Sequence, residues 1–333
     1  MFSFWIVPAL TSLALAQAQP APEQPTTSEH GAPRLLLDQT STSQALRGKA
    51  ETYAQFHLDV GQAGARELRS GADLDATMDS LAQYYTGDRL VNAQIAYASL
   101  VAAQHPDFID SVRALADYYG PEVARSALLN DPTYVASFMG AERASRAVVG
   151  AISDDVASIE AVGERYKSEA YALQNETWAR RRANDRQERI SALESASSRL
   201  NIQFSTPSST PASPLTGQRL GAASNLTASG IRASSTNPNL SLRAGQVQLT
   251  PDERRVGRML AVAALQSIEA GDMTAFNMLL ADPGVERCIT WARLTLGQCI
   301  AAGHFKYEDS FCIAEHALND VAQCLSATRP VSN

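Results

Sequence analysis

The sequence predicts an all-α fold: an N-terminal multi-helix domain ending in a long helix, a disordered linker, and a small disulfide-stapled C-terminal helical domain. Three observations carry this prediction. Apolar residues recur at spacings of three and four over most of 43–200 and again from 250 onward, the period of helices with one buried face. Prolines within those regions fall at their boundaries, where a first-turn proline is tolerated. All four cysteines, Cys288, Cys299, Cys312 and Cys324, fall in the last helical stretches.

With 333 residues the chain has room for about two domains. Residues 1–18 are expected to be a signal peptide. They hold an apolar run, too short for a bilayer span of about 20 residues, followed by Ala16-Gln17-Ala18, the small-x-small pattern of a cleavage site. The Pro- and Thr-rich 19–42 reads as a disordered lead. A net charge of -7 argues against general nucleic-acid binding, which needs a concentrated basic footprint. No later segment has the apolar length of a membrane span, so the mature chain is expected to act outside the cytoplasm, in the periplasm or secreted.

Between 43 and 200 the punctuation is readable. Asp73 and Asp88 stand where N-caps belong, Pro106 and Pro121 where helices start, and Gly120 and Gly140 where helices stop. "LAQYY" and "LADYY" sit 34 residues apart, but the intervening residues do not align as a repeat. From Val149 the pattern Val149, Ile152, Val156, Ile159, Gly163, Tyr166, Ala170, Leu173 forms the seam of a long helix that pairs with another helix. The favoured partner lies in the same chain; dimerisation through this seam is the alternative.

The long helix is expected to continue into "TWARRRANDRQERI". There Arg180, Arg181, Arg182, Arg186 and Arg189 outnumber Asp185 and Glu188, which makes a patch for an anionic partner or, more simply, a solvated helix end. The segment 201–249 contains no acid and is rich in Ser, Thr, Pro and Asn. Such a composition cannot bury enough apolar surface to fold, and it reads as a linker.

The four-cysteine domain is assigned to 250–328. Thr250-Pro251 and Asp282-Pro283 are helix starts. Cys288 and Cys299 are eleven residues apart, so on one helix they are separated by about 16 Å, beyond the roughly 7 Å that a disulfide spans between Cα atoms. The same argument separates Cys312 from Cys324. Two pairings survive: nested, Cys288 with Cys324 and Cys299 with Cys312, or crossed. An antiparallel hairpin sets the first cysteine level with the last, which favours nesting. The twelve-residue step from Cys312 to Cys324 is about 120° out of phase on an ideal helix, and puts one of them at a turn or helix end. In outline the pattern resembles the twin-cysteine helix hairpins of mitochondrial import substrates, with wider spacing, as an analogous staple. The competing use of these thiols is a zinc set of Cys288, Cys299, Cys312 and His316.

No nucleophile elbow, zinc-protease helix or phosphate-binding glycine loop occurs, and no cofactor is implied. The expected role is an exported binding or scaffolding protein of the cell envelope or periplasm whose partner is a protein or an envelope polymer. An envelope enzyme acting on peptidoglycan or another polymer through acidic residues is the alternative. Two convergent acids in a cleft within 73–140 would mark the enzyme. An exposed apolar stripe along the seam would mark the binder.

Overall fold

Local sequence sets most of the helix ends seen in a computed structural model, which describes residues 41–183, 186–198 and 250–326. The expected signal peptide, nearly all of the lead, and the linker 201–249 lie outside the described residues. The first helices are α1 (Ser41–Ala65), α2 (Gly71–Ala82), α3 (Arg89–Ala102), α4 (Pro106–Tyr119) and α5 (Pro121–Asn130), then a 3-10 turn, Pro132–Ser137. Pro106 and Pro121 open their helices as expected. Asp88 is the N-cap of α3. Asp73 lies one turn inside α2, where its Oδ2 accepts from the N–H of the true N-cap, Ser70, at 2.8 Å.

Gly140 does not end a helix; it begins one. It is the left-handed N-cap of α6 (Ala141–Leu173), with φ of 81°. A Cβ there would lie 2.6 Å from the backbone nitrogen of Phe108, so conformation and space both require glycine.

Helix α3 is central. Its residues from Leu90 to Leu100 are all buried, as expected of a helix wrapped on every side. Around it pack α1, α6 and α8 (Pro251–Ser267). Thr250 and Glu253 form a reciprocal capping box at the start of α8. From α8 the chain passes through α9 (Met273–Leu280) to the hairpin helices.

The segments 43–200 and 250–328, expected to be separate domains, share one core. A single cluster of buried residues runs from Leu46 to Leu325, and all described residues belong to one compact unit, Leu35–Asn333. The cause is α8, in which residues 259–265 are all buried. A helix covered on both sides needs neighbours on each, and α3 and the 3-10 turn of the first segment are among those packed on it.

The predicted seam is covered within the chain, so the exposed apolar stripe that would have marked a binder is not found there and a binding face has to lie elsewhere. Ile152, Val156, Ile159, Gly163, Tyr166, Ala170 and Leu173 are buried and Val149 partly so, beneath α1, α3 and the C-terminal hairpin. At Gly163 the hairpin comes so close that a Cβ would collide with Asn319 Oδ1 and lie 3.4 Å from the Ala314 carbonyl oxygen.

The hairpin itself pairs α10 (Pro283–Ala302) with a rod made of α11 (Lys306–Cys312), a π turn (Ile313–Asn319) and α12 (Asp320–Leu325). Cys288 is bonded to Cys324 and Cys299 to Cys312, with Cα separations of 5.6 and 5.7 Å. This is the nested arrangement, and it leaves no thiolate for the Cys288, Cys299, Cys312 and His316 zinc set. The phase problem is solved inside the helix, not at a frayed end. A π turn takes up one extra residue, and between Cys312 and Cys324 that brings the twelve-residue step to within about 20° of three full turns. Both cysteines therefore face α10.

Candidate functional site: the groove at the stapled turn

The long helix stops at Leu173, so the arginine cluster is not helical where expected. Residues 174–183 form turns, and helix α7 (Arg186–Ser198) begins only afterwards. The turn segment runs antiparallel to the loop between α10 and α11: Ala183 N–H donates to His304 O at 3.0 Å, Lys306 N–H to Arg181 O at 3.3 Å, and Tyr307 N–H to Ala179 O at 3.1 Å. Arg182 and Phe305 form an isolated antiparallel bridge.

The five arginines separate accordingly. Arg189 is buried and ion-paired with the buried Asp309, and its Nη1 donates to Gly303 O at 3.2 Å. Asp309 also pairs with Lys306 at 2.9 Å, and Lys306 reaches Asp75 on α2. This charged chain ties α7, α11 and α2 together. Arg186 Nε donates to Ala301 O at 3.0 Å, meeting a carbonyl at the C-terminal end of α10. Arg180, Arg181 and Arg182 are exposed, and their side chains meet no partner among the described residues. The predicted patch is thus reduced to these three, with Arg186 exposed nearby.

Beside this segment lies a groove of about 320 Å³ between the end of α6 and the stapled turn. Its walls are Ala170, Tyr171, Ala302, Tyr307 and Phe311, with the Cys299–Cys312 bridge in the wall. Tyr171 is 62% exposed and Phe311 38%. Phe305 stacks on Tyr307, ring centres 5.8 Å apart and nearly parallel. The one acid lining the groove, Glu308, accepts from His304 N–H at 2.6 Å and so fills the expected role of an acid at the start of α11. Its neighbour Asp309 is turned inward.

A second polar cluster lies in the core. His57 on α1 and Asp155 on α6 are 4% and 1% exposed, with Nε2 and Oδ2 separated by 3.9 Å. Burial lowers the His57 imidazole to about 4. Burial raises the Asp155 carboxyl to about 7, against the pull of the Tyr53 hydroxyl and with a push from Asp154. The Tyr53 hydroxyl faces Asp155 and Gln94 without full hydrogen-bond geometry to either. Both ring nitrogens of His57 also lack a hydrogen-bond partner among the described residues. This cluster can hold a proton, but none of its members lines the groove. Sequence reasoning left Asp155 unnoticed. The available signal was an acid falling among the seam positions Ile152, Val156 and Ile159.

None of the acids of 73–140 lines the groove. Asp73 caps α2, Asp75 pairs with Lys306, Asp107 with Arg143, and Asp110 with Arg113. Among the described residues no group of His, Cys, Asp and Glu has the arrangement of a metal site, and no helix is long and apolar enough to cross a membrane.

Fold and groove together define a class: an all-helical protein whose C-terminal hairpin is stapled by two disulfides, with an apolar groove at the stapled turn. No protein-family model, curated protein or solved structure matches the chain.

Proposed function

We propose that this chain is an exported helical protein of the cell envelope or periplasm that binds or scaffolds a partner, and that the groove beside the Cys299–Cys312 bridge is its binding face. The observation that carries the reading is the groove itself: exposed aromatic rings around a shallow apolar hollow, held in place by a covalent bridge. Aromatic rings left exposed on a rigid frame are the usual anchors of recognition surfaces. Two disulfides are compatible with an oxidising compartment, because thiols in the cytosol are kept reduced. The enzyme alternative would need paired acids in a cleft, and the groove offers Glu308 alone, engaged by the backbone of His304.

Affinity capture of the oxidised chain from its native envelope tests the reading. Wild-type protein should retain a partner that is lost when the exposed Ala302 is replaced by Trp to fill the groove, and lost again after reduction. Retention that ignores both changes, or no retention at all, contradicts it.

A further inference from the structure

The three exposed arginines and the groove belong to one surface. Arg182 stands opposite Phe305 in the antiparallel bridge, a relation that sets Cβ atoms about 5 Å apart. Phe305 stacks on Tyr307, which is a wall of the groove. The guanidinium of Arg182 therefore starts one ring away from the hollow, with Arg180 and Arg181 on the same exposed segment. Three exposed cations that meet no counter-charge among the described residues, next to an apolar hollow, call for a ligand that is anionic and carries an apolar group.

We propose that this surface takes an acidic peptide segment of a partner protein, one aromatic or aliphatic side chain entering the groove while its carboxylates meet Arg180, Arg181 and Arg182. The inference rests on the binding reading above and names its ligand class. Size supports it: at about 320 Å³ the hollow sits at the lower end of the range for small-molecule sites, about 300–1,000 Å³, room for one or two side chains. Charge supports it too. With a net charge of -7 the whole chain is repelled by an extended anionic surface such as a lipid leaflet, whereas a short acidic segment meets the local basic edge and a single groove acid, Glu308, that is already engaged by the His304 N–H. The chain's own 201–249 segment has no acid and three arginines, so it is the wrong sign to occupy the site.

The test uses the full oxidised chain and an array of fluorescein-labelled peptides, Glu- and Asp-rich, each with a single Phe, Tyr, Trp or Leu. Matched arrays replace the acids by Lys or the apolar residue by Ala. Members of the acidic array should bind about ten-fold more tightly than their Lys counterparts and lose affinity as salt is added. The double variant Arg181→Glu, Arg182→Glu should abolish that preference, and Ala302→Trp should remove the dependence on the apolar residue. All altered positions are exposed, and unchanged circular dichroism with both bridges intact would show that the variants fold. Equal binding of acidic and basic arrays, no binding by any acidic member, or binding to phosphatidylglycerol vesicles in place of the peptides overturns the proposal. If the peptides fail while envelope capture still depends on Ala302, the ligand class is wrong and the binding reading stands; if capture also fails, both fall.

Discussion

The hydroxyl of Tyr85 donates to the carbonyl oxygen of Ala317, 232 residues further along the chain. The two residues belong to the segments expected to fold apart, and both are buried. The bond fastens the turn after α2 to the π turn of the cysteine hairpin, so it reports directly on the shared core.

Tyr85→Phe keeps the ring and removes the donor. A buried carbonyl left without that partner is worth about 1–3 kcal/mol. Urea unfolding should show a lower midpoint with an unchanged slope, and both disulfides should still form. An unchanged midpoint would mean that the hairpin does not dock on this layer.

Gly140 and Gly150 provide a paired test in α6. At Gly140, an alanine would meet the Phe108 backbone in a left-handed conformation, at a cost of about 2–4 kcal/mol from strain and overpacking. At Gly150 a Cβ meets nothing within 4 Å, and a helical alanine should stabilise by up to about 1 kcal/mol. Thermal melts that shift in the same direction for both variants would refute the assigned start of the helix.

The His57–Asp155 pair predicts a pH response that only single variants reveal. Asp155 is raised from 3.8 to about 7 on folding, so its contribution to stability is present at low pH and is lost as pH rises through about 7. His57 is lowered from 6.5 to about 4, so its contribution is present above 6.5 and lost as pH falls toward about 4. Between about pH 4 and 6.5 the folded pair and the unfolded pair hold the same number of protons, and the slopes cancel. Burial dominates both shifts, with Tyr53 and Asp154 acting on Asp155, so each survives removal of the other residue. His57→Gln should lose stability as pH rises across this window, and Asp155→Asn as pH falls, each by at most about 1.4 kcal/mol per pH unit. Parallel slopes in the two variants would contradict the assignment.

The π turn predicts an unusual tolerance to deletion. Removing one residue from Ile313–Asn319 allows a regular α-helix with Cys312 and Cys324 eleven positions apart, the same step as Cys288 to Cys299. Both bridges should form in such a deletion variant, though the contact with Tyr85 is lost and stability falls. Scrambled or missing bridges would show that the π turn does not set the cysteine phase.

The parts of this molecule legible in the sequence were those governed by local or covalent geometry. Pro106, Pro121, Thr250 and Asp282 announced their helices because capping chemistry is written within a few residues. Helix rise and disulfide reach left two pairings, and the antiparallel hairpin favoured the nested one that the structure has. The π turn was hidden, because nothing within 313–319 marks it; only the odd step to Cys324 did. Arg189 looked solvated, since its partner Asp309 is 120 residues away. The single core had a signal in the sequence: the run from Met259 to Leu265 is apolar on all sides, a pattern that calls for burial between two layers. The groove was illegible, since it exists only where α6 ends beside the stapled turn.

The measurement that tests the central claim most directly is nonreducing peptide mapping of the protein purified from its own compartment with thiols blocked at lysis. The account predicts that peptides bearing Cys288 and Cys324 elute linked, and likewise those bearing Cys299 and Cys312. Four alkylated thiols, or linkage of Cys288 to Cys312, would contradict it.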